Sequence, residues 1–124
     1  MSTRDASAFL HDVLMAIERI QRFTSGKTFE GYLADDLLRS AVERQLTIIG
    51  EAIAKLDKVD SALATRLLDS PQIIAFRNRL IHDYGQVDHA IVWGVVSAKI
   101  PLLHERVRKI LEVPRLHTST NTRV

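Results

Sequence analysis

The stretch AFRNRLIHDYG, residues 75–85, places Arg77, Asn78, His82, Asp83 and Tyr84 in one short segment. At about 100° per helical residue, Arg77 falls about 40° from Ile73 and shares an apolar stripe with Ile73, Phe76, Leu80 and Ile81. A guanidinium keeps its proton at ordinary pH, so placing it among apolar side chains without an acceptor costs several kcal/mol. The position therefore calls for an anion: a carboxylate, a partner chain or a substrate phosphate. Taken singly, each residue also has a plainer reading. Arg77 could snorkel or pair within the fold, His82 could sit at a helix end where the dipole favours a cation, and Tyr84 could pack with its hydroxyl wet.

Geometry adds a constraint. His82 lies about 140° around an ideal helix from Arg77, on the side of Asn78, whereas Tyr84 lies only about 20° from Arg77. One regular helix cannot aim Arg77 and His82 at the same reacting atom. Either the helix loosens after Leu80, ahead of Gly85, or a two-fold axis brings a second copy of the helix alongside.

The elements that must hold this segment read as helices throughout. Phe9, Leu10, Val13, Leu14, Ile17 and Ile20 recur at helical steps from Asp5 to about Phe23, closed by TSGK. A second pattern runs from about Leu33 to Leu56 through Leu37, Leu38, Ala41, Gln45, Ile48, Ile49, Ala52 and Ile53. Gly50 lies inside it and points to close helix packing. DSALATRLLDS reads as a short helix capped by Asp60 or Ser61, and Ser70 with Pro71 opens the helix that carries the motif. Asp88 caps a last helix through Val92, Val96, Leu103, Val107 and Ile110, in which Pro101 predicts a kink. No alternating strand pattern and no repeat is visible. The expected fold is all-α: a small antiparallel helical bundle of four main helices and one short one, spanning 1–112, followed by a polar, mobile tail at 113–124.

Composition narrows the chemistry. The chain has 124 residues, 46% hydrophobic and 26% charged, which suits one soluble core and excludes disorder. The absence of cysteine rules out disulfides and thiolate metal sites and fits a reducing cytoplasm. No apolar run is long enough for a membrane span, and the N-terminus lacks a signal-peptide core. There is no phosphate-binding glycine loop, no HExxH and no nucleophile elbow, and the five histidines lack metal-ligand spacing, so neither metal nor cofactor is expected. Charge is uneven: residues 1–98 carry 11 basic and 13 acidic side chains, residues 99–124 carry 6 and 2. The basic end is a solvated helix face or an attractor of phosphate.

RNRLIHDY resembles the R-x4-6-H signature of HEPN domains, in the R-x4-H-x-Y form of the HepT-like (DUF86) toxins of HEPN/MNT toxin–antitoxin systems. IIGEAIAKL at 48–56, FRNRLIHDYGQVD at 76–88 and VWGVVSAKIPLL at 92–103 extend the likeness, in the same order, over most of the chain. The resemblance implies a bundle that homodimerises with its motif helices near the two-fold axis. It also implies the toxin of a type VII system, a metal-independent endoribonuclease. His82 would be the general base toward a ribose 2′-OH, Arg77 would stabilise charge on the phosphoryl oxygens, and Asn78 would orient either. The partner would be a nucleotidyltransferase antitoxin of the MntA kind that transfers AMP to Tyr84. Glu51, in the GEA segment, and Asp83 would support the site, although Glu51 also reads as one half of an exposed i,i+4 pair with Lys55. The alternatives are a non-catalytic helical module that binds a nucleotidyltransferase, and an unrelated structural bundle.

Overall fold

A computed structural model describes the backbone over residues 2–68 and 88–123, and the side-chain surroundings over 6–68 and 88–112. The motif helix expected from Pro71 lies outside the described residues. The described residues form α1 (Ser2–Thr24), α2 (Phe29–Ala34), α3 (Asp36–Val59), α4 (Ser61–Leu67), α5 (His89–Gly94) and α6 (Ile100–Arg123), with a π-helical turn, Val95–Lys99, joining the last two. Among them there is no strand, and the molecule is a small all-α bundle. No described helix is long and apolar enough to cross a membrane.

Its centre is the contact of α1 with α3, the most extensive between described elements. Val13, Ala16, Ile17 and Ile20 of α1 and Val42, Leu46, Ile49, Ile53 and Leu56 of α3 belong to one buried cluster. Fully burying an aliphatic side chain stabilises by about 1.5–3 kcal/mol, so among the described residues this seam is the largest source of stability. Gly26, with φ of +73°, ends the first helix as expected, since glycine alone adopts that region without strain.

The second helical segment differs from the sequence reading. Instead of one helix from Leu33, the chain forms α2, breaks at Asp35 and restarts at Asp36. Asp35 explains the break: at φ −110° and ψ 96° it is extended, and its carboxylate accepts the Leu38 amide at 3.0 Å as an N-cap. Thr28 caps α2 in the same way by accepting from the Gly31 amide. Arg39 straddles the break, donating to the Leu33 carbonyl and to the Asp36 carboxylate. The restart also shifts the buried stripe of α3 to Leu38, Val42, Leu46, Ile49, Ile53 and Leu56, leaving Leu37 81% exposed. Gly50 is buried, in keeping with its place inside the helix.

Asp60 caps α4 and Asp88 caps α5, both as expected. Pro101 is accommodated by the preceding π turn, in which the Ile100 amide reaches the Val95 carbonyl five residues back. A wider turn relieves the clash that a proline ring imposes on an α-helix. The last helix runs to Arg123, beyond the end expected near Glu112. No glycine follows Gly94, and losing an apolar stripe does not by itself stop a helix.

Candidate functional site

Of the residues the sequence singles out, Arg77, Asn78, His82, Asp83 and Tyr84 lie outside the described residues. Glu51 is described: it is exposed on α3, and Lys55 one turn on is exposed as well. That position agrees with a solvated polar face.

The two ends between which the motif segment is strung are well defined. On the N-terminal side, α4 packs on α3 and α6, and Arg106 of α6 donates to the Leu67 carbonyl at 2.9 Å, closing the C-terminal turn of α4. On the C-terminal side, the Asp88 carboxylate accepts from the Ala90 and Ile91 amides at 2.9 and 3.3 Å, fixing where α5 begins. The first residue of that helix, His89, reaches into a corner made with α2 and α3.

In this corner the Tyr32 ring meets His89 edge-on, with centroids 6.3 Å apart, and lies 5.0 Å from Trp93. Tyr32 is completely buried, yet its hydroxyl has no hydrogen-bond partner. Burial pushes the phenol up to about 12, with the nearby Glu43 carboxylate adding to the rise and Arg39 opposing it. His89 Nδ1 faces Glu43 Oε2 at 3.8 Å, within ion-pair range but beyond a hydrogen bond, and this nitrogen too is buried without a partner. The His89 side chain as a whole is 33% exposed. A second histidine, His104 on α6, instead directs Nε2 at Glu18 of α1, 3.5 Å away.

Sequence reasoning passed over this corner. It considered His89 only as a metal ligand, and neither the break at Asp35 nor the short helix that carries Tyr32 was expected. The available signal was the cap: Asp88 fixes His89 as the first helical residue. Among the described residues, no group of three His, Asp or Glu side chains is arranged to hold a metal ion.

Residues 13–110 match the family model described as Ribonuclease HepT-like. The chain belongs to the HepT-like ribonuclease family. Two relatives in Methanocaldococcus jannaschii, named "Putative RNase MJ1216" and "Putative RNase MJ0125", are each 32% identical over 112 residues, covering 90% of this chain and 92% and 96% of their own lengths. A Thermococcus cleftensis protein named "Probable ribonuclease HepT" is 34% identical over 107 residues, covering 86% of this chain and 96% of its own. No solved structure matches the chain. The HepT-like match encloses the whole Arg77–Tyr84 motif as well as His89 and His104.

Proposed function

We propose that this HepT-like ribonuclease is the toxin of a type VII (HEPN/MNT) toxin–antitoxin pair, acting in the cytoplasm as a homodimeric, metal-independent endoribonuclease. The observation that carries the reading is the intact R-x4-H-x-Y motif, Arg77, His82 and Tyr84, inside the segment matched to a ribonuclease family.

In the proposed reaction His82 takes the proton of a ribose 2′-OH, and the 2′-oxygen attacks the adjacent phosphorus. Arg77 holds the phosphoryl oxygens as negative charge grows on them, for which its paired donors are suited, and Asn78 orients one or the other. Asp83 and Glu51 are assigned supporting roles. The bond to the 5′-oxygen breaks and that oxygen takes up a proton from water, leaving a 2′,3′-cyclic phosphate and a 5′-hydroxyl. These protein groups supply a base and an oxyanion partner without a bound metal.

Tyr84 is the proposed site at which an MntA-like nucleotidyltransferase silences the enzyme. The chain has two tyrosines, and Tyr32 is wholly buried with its ring against His89 and Trp93, so a tyrosine-directed modification is left with Tyr84. An AMP group there brings an anionic phosphate and a bulky nucleoside to the side of the motif helix that carries Arg77, opposing substrate by charge and by volume.

Induction of the wild type arrests growth and cleaves RNA, whereas Arg77→Ala and His82→Ala do neither. Intact mass after co-expression with the partner shows an AMP-sized increment that Tyr84→Phe lacks. Full-rate cleavage by His82→Ala defeats the mechanism, and an increment that persists in Tyr84→Phe defeats the assignment of the acceptor.

A further inference from the structure

The last helical run of the chain, α5 and α6, is interrupted by the π turn at Val95–Lys99. At about 100° per residue, Val92, Val96, Ile100, Leu103, Val107 and Ile110 would fall within about 80° of one another on an unbroken α-helix, and all six are buried. His89 would lie inside the same stripe and Trp93 at its edge. An unbroken helix would therefore aim its two halves in one direction. The structure aims them in two: α5 packs on α2, with His89 and Trp93 against Tyr32, whereas α6 packs on α1 and α4.

We propose that the π turn is a one-residue insertion that rotates α5 against α6 by about 100°, so that a single apolar stripe serves two sets of neighbours. The Ile100 amide reaches the Val95 carbonyl five residues back, one residue more than an α turn encloses. The added residue brings nothing to the core: Ser97, Ala98 and Lys99 are all exposed, and no atom would meet a side chain placed at Gly94. Its effect is on direction. Without the rotation, Val92 and Val96 would share the direction of Ile100 and Leu103, and His89 and Trp93 would turn from Tyr32 with them.

Pro101 is the counterpart of the insertion. In a closed α turn its ring would clash with the carbonyl four residues back, that of Ser97, and it has no amide to bond there. The wider turn ahead of it removes the clash, so the insertion both turns α5 and makes room for the proline. The device belongs to the fold and stands apart from the reaction.

The test adds and removes residues in the full chain. In an ordinary helix, deleting one residue and inserting one are equally damaging, since each turns one half against the other by about 100°. Here the two differ. Trp93, the only tryptophan, reports through its fluorescence whether α5 still meets Tyr32. Deleting Ala98, or separately Ser97, closes the π turn into an α turn and leaves both faces where they are. The emission maximum stays that of the wild type, while Tm falls by roughly 10 °C because Pro101 now meets a closed turn. Adding Pro101→Ala to either deletion recovers that loss. Pro101→Ala alone keeps the wild-type emission, because packing on both sides still requires the turn. Inserting one alanine after Ala98 turns α5 a further step and shifts the emission to the red as Trp93 leaves Tyr32 for water. Deletions that shift the emission as far as the insertion does, or that unfold the chain even with Pro101→Ala, overturn the proposal, as does an insertion that leaves the emission unchanged.

Discussion

The α1–α3 seam and the α2–α3–α5 corner are built on opposite terms. In the seam, Val13, Ile17, Ile20, Val42, Leu46 and Ile49 are all completely buried and present only hydrocarbon. In the corner, a buried phenol and a buried ring nitrogen lack hydrogen-bond partners beside a carboxylate. Unpaired buried polar groups cost about 1–3 kcal/mol each, so a fold selected only for stability would replace them. The contrast teaches that, among the described residues, the bundle keeps its hydrocarbon core in one place and its unpaired polar groups in another.

Substitutions should separate the two regions. The largest stability effect is expected in the seam: Leu46→Ala removes a fully buried side chain and costs about 2–5 kcal/mol in chemical denaturation. A loss below about 1 kcal/mol would show that the seam is not where stability resides. Next, Asp88→Ala removes the cap that starts α5 and costs about 0.5–2 kcal/mol in the same denaturation.

Tyr32→Phe sharpens the comparison from the other side. It removes an unpartnered hydroxyl while keeping the ring against His89 and Trp93, so stability at neutral pH is unchanged or raised by about 1 kcal/mol. Its pH dependence carries a defined sign. The folded phenol is raised to about 12 from its ordinary value of 10.0, so between those values the unfolded chain has lost a proton that the folded chain retains. Stability from this group is complete below pH 10 and declines as pH rises toward 12, by at most about 1.4 kcal/mol per pH unit. Tyr32→Phe removes that decline, which denaturation series at several alkaline pH values will show. The smallest effect belongs to the partly exposed His104–Glu18 pair, where Glu18→Gln changes stability by less than about 1 kcal/mol.

Much of this division was legible in the sequence, and the reasons are local. The α1 stripe followed from its helical spacing, Gly26 from the need for a left-handed residue, and the Asp60 and Asp88 caps from carboxylates standing just ahead of helical runs. The break at Asp35 was missed because the apolar pattern continues across it, whereas the cap that makes it depends on one residue's backbone conformation. The corner was missed for a different reason: Tyr32, Glu43 and His89 come from three helices, and no periodicity within one helix reveals a meeting between three. The motif was legible as chemistry from Arg77 on an apolar stripe, and the family match covers it, but its geometry lies outside the described residues.

The central claim is that RNA is cut by protein side chains through attack of the neighbouring 2′-oxygen. The most direct measurement is the identity of the ends produced when purified wild-type protein and His82→Ala are incubated with RNA in EDTA. The account predicts fragments ending in 2′,3′-cyclic phosphate and 5′-hydroxyl from the wild type and no fragments from His82→Ala. Cleavage that depends on added Mg²⁺, or that leaves 5′-phosphate ends, contradicts it.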